Sequence, residues 1–132
     1  MNYLLDTHVL IWLVTDQSRI SHLVIKELDS RKNNVFVSSV SFWEVSLKFS
    51  SGKLELNGFL PQDLPGFIKS VGFEFISLDP NDASSYNKLS VSYHKDPFDK
   101  MLIWQAIQQN LVLVTKDDRV KQYSSAGLKT IW

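Results

Sequence analysis

Four carboxylates, Asp6, Glu44, Asp99 and Asp117, fall where apolar strand-like runs give way to helical ones. Each alone reads as a helix cap or as a partner for the positive end of a helix dipole. As a group they have a different chemistry. Carboxylates held within about 4–6 Å repel, and without a cation some must stay protonated. A divalent metal removes that conflict. The chain has no cysteine and no paired histidines, so hard oxygen donors favour Mg2+, or its near equivalent Mn2+, over zinc. Such an ion meets substrates through phosphate oxygens and lowers the pKa of a bound water. Phosphodiester hydrolysis is the reaction class that suits it best.

The elements that must position these acids are legible as alternating strands and helices. Tyr3-Leu4-Leu5 reads as a buried strand ending at Asp6, with Asp6 or Thr7 capping a helix through Val9, Leu10, Trp12 and Leu13. A second helix is expected over Ser18–Lys32, then a strand at Val35-Phe36-Val37 closed by Ser38-Ser39. Ser41-Phe42-Trp43-Glu44 has the S-x-x-E spacing of a capping box, which would put Glu44 in a first helical turn. Residues 61–70 form a further helix, and Phe73–Ser77 alternates as a strand. Asp79-Pro80 opens a helix to about Ser92.

At residues 94–106 a polar turn runs into another helix. There Asp96 is the N-cap, Pro97 takes the first helical position, which needs no amide hydrogen, and Asp99 lies one turn in. Leu111–Val114 is the most strand-like run, followed by Thr115 and Asp117, a short helix and a last strand over Leu128–Trp132.

Short, continuously apolar strands between helices predict a three-layer α/β/α sandwich with a short, mainly parallel central sheet. In such folds the functional crevice lies beyond the carboxyl ends of the strands, which gathers the four acids on one edge.

With 132 residues, 44% of them hydrophobic, the chain reads as one domain over 1–132 with a substantial core. Lys plus Arg and Asp plus Glu number 14 each, so a nucleic-acid partner would need a local basic patch rather than a global field. No stretch is long and apolar enough to span a bilayer, and Met1–His8 lacks the basic start of a signal peptide. A cytoplasmic protein without a membrane partner is the expectation.

Several motifs carry a family resemblance over nearly the whole length. LLDTHVLIW at 4–12, SFWEVSLK at 41–48, DPFDKMLIWQA at 96–106 and LVTKDD at 113–118 together resemble PIN-domain ribonucleases, and in particular the VapC-like toxins of bacterial toxin–antitoxin pairs. The resemblance implies a Mg2+- or Mn2+-dependent endoribonuclease in which Asp6, Glu44, Asp99 and Asp117 are the acidic quartet, with Asp6 and Asp99 foremost as direct metal ligands. It implies that Thr115 supports the last acid, that the chain pairs with itself, and that a small antitoxin inhibits it. Lys100 stands where many relatives have Arg. Strand-end position favours Asp117 over its neighbour Asp118, and Asp96 serves mainly as the cap.

Lys95, Lys100, Lys116, Arg119 and Lys121 cluster around the expected crevice and are candidate RNA contacts, set against an ordinary solvated surface. His8 reads as a structural helix-face histidine, and His94 as a loop residue near substrate rather than a base. Trp12, Trp43 and Trp104 read as core or interface aromatics. Two rivals compete. A phosphoacceptor signalling domain would need paired acids after the first strand and an Asp ending the middle strand, where this chain has Asp6 alone and Ser38-Ser39. An inactive binding module of the same fold would not need an intact quartet.

Overall fold

Asn2–Leu5 (β1) is the strand around which the rest assembles, because Tyr3, Leu4 and Leu5 are all buried. In a computed structural model describing residues 1–132, it pairs in parallel with Asn34–Ser38 (β2) on one side and Val112–Val114 (β4) on the other. Glu74–Ile76 (β3) and Lys129–Ile131 (β5) complete the edges, giving the order β3-β2-β1-β4-β5. All four pairings are parallel, so the sheet is parallel throughout.

Side-chain alternation sorts the strands onto two faces. Tyr3, Leu5, Val35, Val37, Val112 and Val114 meet the helices Thr7–Thr15 (α1), His22–Asp29 (α2) and Leu64–Ser70 (α4). Leu4, Phe36 and Leu113 point the other way, against Pro97–Gln109 (α6) and Asp118–Lys121 (α7). Ser39–Ser50 (α3) reaches both layers, with Val45 in the first and Val40 in the second. These are the three layers expected. No helix is long and apolar enough to cross a membrane.

Three boundaries differ from expectation. α3 starts at Ser39 with Ser38 as its N-cap, the Ser38 hydroxyl accepting from the Val40 amide at 3.1 Å. The S-x-x-E match is therefore not a capping box: Ser41 is buried and accepts a 3.0 Å hydrogen bond from the Thr7 hydroxyl. Glu44 lies in the second turn. The helix after Asp79, Pro80–Ser85 (α5), stops well short of Ser92 and passes into a 3-10 turn over Tyr86–Lys88. Ser84 and Ser85 turn their hydroxyls onto helix carbonyls at 3.4 and 3.5 Å, which weakens continuation. α2 begins at His22, capped by Ser21, because Asp16 instead caps a separate 3-10 turn at Gln17–Arg19.

Candidate metal centre

The parallel order makes β1 end at the middle of the sheet, so Asp6 emerges at the crevice that such sheets form. Asp6 is 2% exposed and fully engaged. Its Oδ1 accepts from the Thr7 amide at 2.7 Å, and its Oδ2 accepts from the Thr115 hydroxyl at 2.7 Å. His8 Nδ1 lies 3.3 Å from the same Oδ2. Burial pushes the Asp6 carboxyl above its usual range; His8, Thr115 and Thr7 pull it back, and the charge of Glu44 adds to the rise.

Glu44 faces Asp6 from α3. It is 2% exposed, one oxygen bound by the Lys48 ammonium one turn along, while its Oε1 is buried without any partner. An orphaned carboxylate oxygen is costly to bury.

Asp99 completes the group from α6, whose start is set as the sequence predicts: Asp96 accepts from the Phe98 and Asp99 amides at 2.9 and 3.2 Å, and Pro97 opens the helix. Burial, followed by the charges of Asp6, Asp96, Glu44 and Asp117, pushes the Asp99 carboxyl up to about 8. At neutral pH it therefore holds a proton unless a cation replaces it. Asp6, Glu44, Asp96 and Asp99 line one cleft of about 140 Å3 together with Thr7, His8, Ile11 and Lys48.

Asp117 stands slightly apart. It caps α7, and its amide donates to the Thr115 hydroxyl at 3.1 Å, so Thr115 links Asp117 to Asp6. Arg119 grips its carboxylate at 3.0 and 3.3 Å. Burial alone would raise Asp117, but the hydrogen bonds and charge of Arg119 outweigh it and leave the carboxyl below its usual range. Asp117 lines a neighbouring cleft of about 340 Å3 with His8, Trp12 and Lys116. Asp118 points into solvent, its side chain 94% exposed, beside Lys121.

The expected quartet is thus gathered as three acids on one cleft and a fourth at its rim. The larger grooves near Leu28, Arg31 and Phe73 lie at the other end of the strands and hold no comparable set of acids. Lys95 and Lys116 are exposed and Lys100 is half-buried; Arg119 is exposed but already occupied by Asp117.

Lys48 has no place in the sequence reading, and His8 and His94 sit closer to the acids than it gives them. Lys48 was recoverable from its four-residue spacing to Glu44. His8 is not a plain helix-face residue: it bridges the acids and the Lys116 amide, which donates to its Nε2 at 3.2 Å. His94 lies in the loop before α6 as expected, but its side chain is buried, with Nδ1 3.0 Å from the Tyr123 hydroxyl and Nε2 3.3 Å from Asp99 Oδ2, poorly aligned for a hydrogen bond. Burial and the nearby Arg119 lower its pKa below the ordinary histidine value, against the opposing charges of Asp117 and Asp96.

The donor set fits a hard divalent cation. Its donors are carboxylate oxygens, one is orphaned, and burial with the neighbouring acids raises Asp99. No three of these side chains close into a ready cage, and Mg2+ keeps several waters in any case.

A family model described as the PIN domain matches residues 3–125. Ribonuclease VapC22 of Mycobacterium tuberculosis is 25% identical over 134 residues, an alignment covering 98% of this chain and 97% of that protein. Among solved structures, VapBC2 from Rickettsia felis bound to a promoter DNA fragment superposes with a TM-score of 0.73 at 18% identity, covering 99% and 98% of the two chains. VapBC-1 from nontypeable Haemophilus influenzae gives 0.70 at 18% identity, covering 99% and 97%.

Proposed function

The chain belongs to the PIN-domain family, and from that premise we propose that it is an endoribonuclease dependent on Mg2+ or Mn2+, the toxin of a toxin–antitoxin pair. The observation that carries this reading is Asp99, held at about 8 by burial and by the acids around it. Burial raises Asp99 most and repulsion from the acids around it adds to the rise; a divalent cation among them would favour the ionised form.

Asp6 and Asp99 would hold the ion, with Glu44 at its side and Asp117 at the rim. The ion supplies charge neutralisation for the phosphodiester and a lowered pKa for the attacking water. The chain's own residues do the positioning. Thr115 and Thr7 fix both oxygens of Asp6. Asp96 aims α6, and Lys48 restrains Glu44 until the cation arrives. Lys95, Lys100 and Lys116 would hold RNA phosphates, an attraction that weakens with salt.

Partnership follows from the same reading. The VapBC relatives are complexes, and an antitoxin is proposed here as the inhibitor of this chain. An exposed apolar strip on α3 and α6, with Trp43 63% and Leu47 48% exposed and Trp43 packed edge-on against Phe98, supports self-association as a homodimer. A cytoplasmic location accords with this role.

The test is direct. Antitoxin-free protein is incubated with RNA, with and without Mg2+ or Mn2+, beside Asp6→Asn and Asp99→Asn variants. Cleavage is expected only for the wild type with metal. Cleavage that survives EDTA or either substitution would overturn the metal-nuclease assignment.

A further inference from the structure

An aromatic and cationic cluster borders the acids and touches them only through His8, beside Asp6. Trp12 is half-buried, packed on the core through α1, yet it also lines the cleft of about 340 Å3 at the rim of the acid site. His8 lies against it at a tilt, 4.8 Å between centroids and 56° between planes, and Trp132 meets it edge-on at 5.9 Å. The Arg19 guanidinium sits 4.4 Å from its ring centroid and the Lys116 ammonium 6.0 Å. The cation–π contact with Arg19 holds the indole plane in place. His8 is the wall common to both clefts, so whatever fills this one lies beside the acids.

We propose that Trp12, with His8 and Lys116 beside it, forms a subsite that stacks one unpaired base of the RNA next to the cut phosphodiester. The proposal rests on the ribonuclease reading above and adds where the strand is gripped. A tryptophan serving only the core would be sealed by apolar neighbours, whereas this one shares its cleft with an imidazole, an exposed lysine and Asp117. An aromatic face beside a cation is what a single strand needs, the ring taking a base and the ammonium a phosphate. Stacking of this kind is tolerant of base identity, because every base has a π-face. It excludes duplex RNA, whose bases are already stacked on one another.

The test uses substrates that lack a base. A cut is first mapped in bulk RNA, and oligoribonucleotides spanning it are made with one abasic nucleotide at each successive position. For the wild type with Mg2+, loss of one base adjacent to the cut is expected to raise KM about 10-fold with little change in kcat. In Trp12→Leu that penalty disappears, since the subsite no longer reads the base; in Trp12→Phe it is partly kept. An equal abasic penalty in wild type and Trp12→Leu, or no penalty at any flanking position in the wild type, would overturn the subsite and leave the nuclease intact. A wild type that cuts no RNA would overturn both.

Discussion

The Thr115 hydroxyl donates to Asp6 Oδ2 at 2.7 Å, joining two buried side chains 109 positions apart. The same hydroxyl accepts from the Asp117 amide at 3.1 Å, so one atom sets the positions of two acids. Thr115→Val keeps the shape and removes both bonds. It should lower stability by about 1–3 kcal/mol, because the Asp117 amide loses its acceptor and Asp6 Oδ2 is left with His8 alone. Thr115→Ser should recover most of the loss. Urea unfolding of the three proteins checks this, and a Val variant as stable as wild type would contradict it.

Asp99 makes metal-free stability depend on pH. Its folded pKa of about 8 lies above the ordinary 3.8, so between those values the folded state binds more protons than the unfolded one. Its contribution to stability is then fullest below about pH 4 and is lost as pH rises towards 8, opposed in part by His94, whose lowered pKa favours the fold as pH rises. Asp6, also raised, contributes with the same sign. In EDTA, urea midpoints should fall from pH 5 to pH 8, less steeply in Asp99→Asn. Saturating Mg2+ should flatten the wild-type curve, since a bound cation replaces the proton. An identical slope in Asp99→Asn would refute the assignment.

If Glu44 takes part in holding a metal, Lys48, paired with it, would compete with that ion. Burial would lower its pKa, but the hydrogen bond and charge of Glu44, with Asp96 and Asp99 behind it, raise it instead. Lys48→Met removes that internal cation. The apo protein should be less stable and should bind Mg2+ more tightly, by about 1 kcal/mol or ~5-fold. Isothermal titration measures this, and weaker Mg2+ binding would show that Lys48 assists the ion.

Adjacent acids after β4 should behave unequally. Asp118→Ala removes a side chain that is 94% exposed and should leave RNA cleavage near wild type. Asp117→Asn should lower cleavage, and Asp117→Ala should in addition cost about 1 kcal/mol through loss of the α7 cap. A drop confined to the Asp118 variant would reverse the assignment.

Strand and helix order were readable because parallel strands buried on both faces appear as short apolar runs, as Tyr3-Leu4-Leu5 and Leu111–Val114 do. Asp96-Pro97 was equally clear, since cap and proline act within one turn. Glu44 was placed one turn too early because Ser41 imitates a cap, and only the fold reveals that Ser41 faces Thr7 while Ser38 does the capping. His94 carried no local signal. Its burial comes from Tyr123, which lies in the 3-10 turn Gln122–Ala126 far along the chain.

Strand order also fixes when the acids can meet. β1 is synthesised first, yet its neighbour β4 and the Thr115 hydroxyl that holds Asp6 come more than a hundred residues later. At about 5–20 residues per second, a growing chain spends on the order of ten seconds without them. Through that interval Asp6 has neither its hydroxyl partner nor its strand, and Asp99 has not yet met it. Under the nuclease reading proposed above, a nascent chain that has not yet reached Thr115 would lack the partner that holds Asp6 in place.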